Sequence, residues 1–130
     1  MSKTFERYLA GQIAVLLEFA PMFWPTINSY KRLVDGFWAP VKPTSGIDNR
    51  TASFRVIAGS PKSTRLETRC PGSDMNPYLA AAAVLAAGLH GVEKKLKLTA
   101  KPIHAPTLSG KRMSNSSAPT MVGATPRASR

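Results

Sequence analysis

The sequence predicts a small α/β (or α+β) domain of two helices and short antiparallel strands, followed by a disordered basic tail. Apolar residues recur at helical spacing near the start of the chain, and alternate residues share a face between positions 50 and 70. After Lys101 neither pattern continues. We therefore divide the chain into a domain over residues 1–101 and a disordered basic tail over residues 102–130.

The first helix is predicted over residues 3–20, with Ser2 as its cap and Pro21 ending it. Its apolar face is formed by Phe5, Leu9, Ile13, Leu16, Leu17 and Ala20. The second helix is predicted to begin at Asp74 or Asn76 and to run to about Leu98, with Pro77 in its first turn. Because it is apolar on nearly every side, we expect it to pack against something large and to expose a patch on its own. That patch comprises Leu79, Val84, Leu85 and Leu89.

Two strands are predicted between the helices. The first covers residues 50–57 and places Ala52, Phe54 and Val56 on one face. A turn at residues 59–61 precedes the second strand, over residues 64–70.

Composition narrows the class of protein. The net charge is +11, but residues 93–130 hold eight Lys or Arg against one acid, whereas residues 1–92 hold ten against six. A basic tail is usually a solvated segment, so we expect no specific nucleic-acid partner. The longest apolar run is too short to cross a membrane, and Glu6 and Arg7 interrupt any signal peptide. We expect no membrane association and a cytoplasmic location.

Five arginines surround the carboxylate of Glu67 in the most informative part of the chain. They are Arg32, Arg50, Arg55, Arg65 and Arg69. Alternation on the second strand puts Arg65, Glu67 and Arg69 on one face. A charged strand face is commonly just the solvent-exposed side of a sheet. The competing interpretation is a polyanion site, because arginine grips phosphate and carboxylate bidentately and a lone glutamate suits magnesium.

Four consecutive segments carry a family resemblance that covers residues 2 to about 103. They are PTINSYKRL (25–33), GIDNRTASFRV (46–56), GSPKSTRLETR (59–69) and PGSDMNPYLAAAAVLAAGL (71–89). They resemble motifs of the glutamine synthetase catalytic domain, nearest to its bacterial-type, lengsin-like or FluG-like members. The resemblance implies that the fold is part of the barrel-like catalytic domain. It also implies a ligase that makes γ-glutamyl phosphate from ATP and glutamate and lets ammonia or another amine displace the phosphate.

The resemblance assigns roles to matching residues. It implies that Arg32 holds the glutamate carboxylate, that Arg50 and Arg69 contact the transferred phosphoryl group, and that Glu67 binds Mg²⁺ or Mn²⁺. Arg55 and Arg65 resemble contacts to the nucleotide phosphates, and Lys62 lies where the family approaches adenine. The implied partners are ATP, glutamate and an amine, with a homo-oligomer expected only for a full-length protein.

Two departures from the family pattern limit these expectations. Trp38, in DGFWAPV, stands where the family has a flap glutamate over the ammonia site, which puts ammonia in doubt as the acceptor. The sequence also lacks counterparts of the N-terminal domain, the earlier metal-binding glutamates, the His-x-His segment and the acidic C-terminal helices. We therefore expect this truncated chain to be inactive alone. The alternatives are a non-catalytic, lengsin-like structural or interaction protein and a non-functional gene fragment.

Overall fold

The computed structural model describes residues 1–34, 39–99 and 103–104. The helices are α1 (Lys3–Ala14), α2 (Ala20–Phe23), a 3-10 helix (Ile27–Arg32) and α3 (Pro77–Glu93). The strands are β1 (Ser45–Ile47), β2 (Phe54–Ile57), β3 (Arg65–Thr68) and β4 (Ile103–His104). No helix in the described ranges has the length and apolar character needed to cross a membrane.

Helix α1 begins as predicted and ends six residues early. The Ser2 hydroxyl accepts a hydrogen bond from the Phe5 amide at 3.2 Å, which confirms the cap. The predicted continuation to residue 20 is wrong, because α1 ends at Ala14 and Pro21 lies in the first turn of α2. Apolar spacing misled the prediction because Leu16, in the irregular connection, is buried just as a helical residue would be.

The sheet has the order β3–β2–β1–β4. Strands β2 and β3 pair antiparallel, as predicted, whereas β1 runs parallel to both β2 and β4. The sequence analysis predicted no strand at β1, and the strand predicted over residues 50–57 is shorter than expected because β2 begins at Phe54. Residues 48–53 turn the chain back so that Phe54 aligns with Ser45, and Asp48 adopts a positive φ of 48° in that turn.

Strand β4 falls within the segment predicted to be a disordered tail, since Ile103 and His104 align with Gly46 and Ile47. The rest of that tail lies outside the described residues. Its disorder, and the boundary between residues 101 and 102, stay predictions.

The core lies between the sheet and the helices. Phe54 and Val56 are each about 1% exposed, which confirms that these alternate residues of β2 share a buried face. Trp24 fills the space beside them, and its indole Nε1 donates a hydrogen bond of 2.8 Å to the carbonyl oxygen of Cys70. This bond satisfies a buried donor and ties α2 to the end of β3.

Helices α1 and α3 approach each other through three glycines, Gly11, Gly88 and Gly91, which we call the glycine seam. A Cβ atom on Gly11 would overlap the carbonyl oxygen of Ala87, and one on Gly91 would overlap that of Arg7. A Cβ atom on Gly88 would collide with the ring of Tyr8. Only hydrogen fits at these positions, so the two backbones can pack in direct contact.

Helix α3 is capped by Asn76, whose Oδ1 accepts hydrogen bonds from the amides of Tyr78 (3.0 Å) and Leu79 (3.3 Å). It ends at Glu93, before the predicted end near Leu98. The amides of Lys95 and Leu96 bond back to the carbonyls of Val92 and Gly91, forming a Schellman motif. Lys95 occupies the left-handed position of that motif with a φ of 53°.

The face of α3 away from α1 is apolar and exposed. Leu79, Leu85 and Leu89 are between 52% and 55% exposed, as predicted for the patch. Val84 is half-buried against the core, so its inclusion in the patch is wrong.

Candidate functional site

The pairing of β2 with β3 sets Arg55 directly opposite Glu67. The Nη1 atom of Arg55 lies 3.0 Å from Oε2 of Glu67, and Nε of Arg69 lies 3.3 Å from Oε1. Each carboxylate oxygen therefore faces one guanidinium group. The structure confirms that Glu67 lies on a strand with Arg55 on the neighbouring strand. Of the other two residues predicted on the face of Glu67, Arg69 lies just beyond the end of β3 and Arg65 contacts the carbonyl oxygen of Ser63.

Asp48 is a member of this cluster that the sequence analysis missed. Its Oδ1 accepts from Nε of Arg55 at 3.1 Å and is also ion-paired with Nη2. The interpretation of Glu67 as a single carboxylate among arginines is therefore wrong. The parallel alignment of β1 with β2 brings Asp48 to Arg55, and an antiparallel prediction could not reveal it. We call Asp48, Arg55, Glu67 and Arg69 the salt-bridge network.

Burial is uneven within the salt-bridge network. The side chains of Arg55 and Arg69 are each 17% exposed, whereas those of Glu67 and Asp48 are 40% and 69% exposed. Hydrogen bonding to Asp48 is the largest cause of a raised pKa at Arg55, so its guanidinium stays charged. The arginine side chains are thus the more buried and more ordered members of the network, and the carboxylates are the more exposed ones.

Arg32 lies at the end of β3 that carries Arg69. Its Nη1 donates to the carbonyl oxygens of Cys70 and Pro71, both at 2.9 Å. An open cleft of about 430 Å³ lies beside it, lined by Asn28, Ser29, Arg32, Pro71, Ser73 and Asp74. Since two carbonyls fix Nη1, the rest of the guanidinium can bind a carboxylate without first being ordered.

Asp74, which lines this cleft, anchors the 3-10 helix through its carboxylate. Its Oδ2 accepts hydrogen bonds from the Ser29 hydroxyl and, at 3.2 Å, from that of Thr26. These bonds, that of Ser29 foremost, lower the pKa of Asp74 below its ordinary value. The carboxylate therefore holds in place the helix that ends in Arg32.

Cys70 is fully buried next to Arg69, and its burial raises the pKa of the thiol to about 12. The thiolate is the nucleophile and the metal ligand, so a thiol that stays protonated serves neither purpose. Cys70, two residues beyond the end of β3, is therefore a core residue.

The other predicted site residues lie apart from the network. Arg50 is exposed in a turn where Oδ1 of Asn49 accepts from the Thr51 amide at 2.9 Å. Lys62 is exposed in the turn before β3, and Arg65 begins β3 with its Nη1 3.4 Å from the carbonyl oxygen of Ser63. Their ligand roles stay predictions. Trp38 lies outside the described residues.

The donor atoms of the described residues do not suit a metal ion. Within residues 1–34, 39–99 and 103–104, no three His, Cys, Asp or Glu side chains come close enough to hold an ion. Both oxygens of Glu67 already face arginines. Magnesium prefers several oxygen ligands, so these residues do not form a metal site by themselves.

Arg55 and Arg69 on either side of Glu67, together with Arg32 beside the cleft, provide guanidinium groups of the kind that bind phosphate and carboxylate. The family model described as "Glutamine synthetase, catalytic domain" matches residues 1–119. The chain belongs to the glutamine synthetase family.

The proteins to which the chain is similar include glutamine synthetases and enzymes named for ethanolamide and isopropylamine chemistry. The chain is 59% identical over 103 residues to type-1 glutamine synthetase 2 of Dictyostelium discoideum, covering 79% of this chain and 20% of that protein. It is 50% identical over 98 residues to γ-glutamylethanolamide synthetase GlnA4 of Streptomyces coelicolor, with coverages of 75% and 21%. Glutamate–isopropylamine ligase of a Pseudomonas species is 44% identical over 97 residues, with coverages of 75% and 21%.

Among solved structures, the complex of GmaS with ADP is similar to this chain at 38% identity and a TM-score of 0.67. The alignment covers 79% of this chain and 24% of that one. The chain therefore spans about a fifth to a quarter of the length of these relatives. The fold is that of part of a glutamine synthetase catalytic domain.

Proposed function

We propose that this chain supplies a phosphate- and carboxylate-binding strip to an ATP-dependent glutamate–amine ligase. The observation that carries the proposal is the carboxylate of Glu67, held between Arg55 at 3.0 Å and Arg69 at 3.3 Å. Similarity to glutamine synthetases and to ligases named for larger amines supports the reaction class.

The proposed reaction has two steps. A γ-carboxylate oxygen of glutamate attacks the γ-phosphorus of ATP, and the bond to the β–γ bridging oxygen breaks, giving γ-glutamyl phosphate and ADP. The amine nitrogen then attacks the γ-carbonyl carbon, the bond from that carbon to the phosphate oxygen breaks, and the nitrogen loses a proton. Both steps concentrate negative charge on phosphoryl oxygens, which fixed guanidinium groups stabilise.

Basic residues of this chain are assigned to binding the glutamate carboxylate, the transferred phosphoryl group and the nucleotide. Arg32, ordered by two carbonyls beside the cleft, binds the glutamate carboxylate. Arg69 and Arg50 contact the transferred phosphoryl group. Contacts to the nucleotide come from Arg55, Arg65 and Lys62. A Mg²⁺ or Mn²⁺ role for Glu67 requires further carboxylates from outside the described residues, so no step is assigned to the metal.

Trp38 bears on the choice of acceptor amine. Trp38 replaces the flap glutamate of the family pattern, and an indole cannot accept a proton from ammonium. We therefore favour an alkylamine acceptor over ammonia, in line with one relative named for a γ-glutamylethanolamide product and one named for an isopropylamine substrate. We further propose a cytoplasmic location and assembly into oligomers only in a full-length protein.

A non-catalytic, lengsin-like role is the second candidate. It is favoured by the salt bridges at both oxygens of Glu67, which commit the carboxylate to Arg55 and Arg69. Under either role we expect no γ-glutamyl transfer from the 130 residues alone, because the chain offers one good metal-ligand candidate, Glu67.

A chimera separates these candidates. Residues 1–101 of this chain would replace the aligned segment of the Dictyostelium enzyme, and ATP- and glutamate-dependent phosphate release would be measured with ammonia, ethanolamine and isopropylamine. We expect release with at least one amine, and its loss on Glu67→Ala but not on Glu18→Ala, an exposed position outside the network. A folded, assembled chimera that is inactive with every amine would contradict the catalytic proposal.

A further inference from the structure

Both the backbone and the side chain of Asp48 contact β2, the strand that carries Arg55. Asp48 follows the last residue of β1 and adopts a φ of 48°, which residues with a side chain seldom do. Its amide donates to the carbonyl oxygen of Val56 at 2.9 Å, so the backbone is fixed to β2 beside Arg55. This places the carboxylate against the side of Arg55 that faces away from Glu67.

The contacts divide the Arg55 guanidinium into two edges. Nε and Nη2 face Oδ1 of Asp48, whereas Nη1 faces Oε2 of Glu67 at 3.0 Å. A guanidinium with its Nε–Nη2 edge free can turn that edge to a carboxylate as a two-pronged fork. With that edge occupied by Asp48, Glu67 receives a single N–H from Arg55.

We propose that Asp48 is a positioning residue that holds the Nε–Nη2 edge of Arg55, and so fixes the orientation in which Arg55 meets Glu67 and a nucleotide phosphate. The identity of the ligand, a nucleotide phosphate, rests on the proposed function. The role of Asp48 in ordering Arg55 does not depend on it. An arginine that is already ordered loses less conformational freedom when phosphate arrives. The carboxylate of Asp48 would therefore act through Arg55, without touching substrate.

Three variants of the full 130-residue chain test the structural part. Asp48→Gly removes the carboxylate and tolerates positive φ, while Asp48→Asn keeps an oxygen acceptor and also tolerates positive φ. Glu18→Gln is the matched control, an exposed carboxylate outside the network. The readout is ¹⁵N relaxation of the Arg55 Nε–Hε group, assigned by its loss in Arg55→Lys.

We expect an order parameter of about 0.8 in the parent chain and below about 0.6 in Asp48→Gly, the values that separate rigid from flexible groups. Asp48→Asn should restore much of the order, and Glu18→Gln should change nothing. An Arg55 signal that is mobile in the parent chain, or that stays rigid in Asp48→Gly, would overturn the proposal.

The functional part is tested in the chimera described above. Asp48→Gly should raise the KM for ATP by roughly tenfold with little change in the KM for glutamate, and Asp48→Asn should reverse most of that increase. An unchanged KM for ATP would also overturn the proposal. If the chimera is inactive with every amine, the proposed function fails by itself, and the Arg55 relaxation measurement still decides the role of Asp48.

Discussion

The glycine seam and the salt-bridge network are contacts of opposite kinds between elements of the fold. At the seam, Gly11 and Gly91 bring two helix backbones into contact, so the packing depends on the absence of side-chain atoms. In the network, long charged side chains bridge two strands at a half-exposed surface. Close packing of buried backbone leaves no room for change, whereas exposed ion pairs contribute little to stability. The difference indicates that the seam serves the fold and the network serves binding.

The largest effect is expected at the glycine seam. Gly91→Ala should lower the free energy of unfolding by about 3 kcal/mol or more. The new methyl group would overlap the carbonyl oxygen of Arg7, which is held in helix α1 and cannot move away. Chemical denaturation followed by circular dichroism measures this loss. Gly59→Ala is the matched control, since its methyl group meets the Ser63 hydroxyl, which can rotate away. Equal losses in the two variants would contradict this account of the seam.

A pH-dependent effect on stability is expected at Asp74, which lines the cleft beside Arg32. Hydrogen bonds from Ser29 and Thr26 lower its pKa in the folded state, so its contribution is present above the unfolded pKa and is lost as pH falls through the folded pKa. The free energy of unfolding should therefore fall with acid more steeply in the parent chain than in Asp74→Asn. The comparison requires denaturation curves between neutral pH and about pH 3. Parallel pH profiles would show that the bonds to Asp74 contribute nothing.

A smaller effect of opposite sign is expected at the end of α3. Lys95 holds the left-handed position of the Schellman motif, where glycine avoids a steric cost of about 1 kcal/mol. Lys95→Gly should raise the free energy of unfolding by somewhat less than that, because glycine also loses more backbone entropy on folding. Thermal unfolding with Lys97→Gly as control measures the gain. A destabilised Lys95→Gly variant would rule out backbone strain at this position.

Local signals explain what could be predicted from the sequence. The Ser2 cap, the buried alternation of Phe54 and Val56, and the placement of Glu67 on a strand each depend on a few neighbouring residues. The antiparallel pairing of β2 with β3 also followed, since a short turn joins them. These features are fixed by nearest neighbours, and the structure bears them out.

Long-range pairing explains what could not be predicted. The end of α1 at Ala14 was missed because Leu16 is buried without being helical. Asp48 was missed because its contact with Arg55 depends on β1 running parallel to β2, which spacing along the chain does not encode. The glycines of α1 and α3 lie about eighty residues apart, and neither helix alone shows why they must be small.

The central claim is that the salt-bridge network is a binding site whose loss leaves the fold intact, and Glu67→Gln in the chimera tests it most directly. The amide keeps the shape of the side chain and removes its charge. We predict a change of less than about 1 kcal/mol in the free energy of unfolding, since half-exposed ion pairs contribute little. We also predict at least a ~100-fold loss of glutamate-dependent phosphate release, because an amide no longer holds the charge-stabilising guanidinium groups of Arg55 and Arg69 in place. A stable variant that retains more than half of the parent activity would contradict the claim.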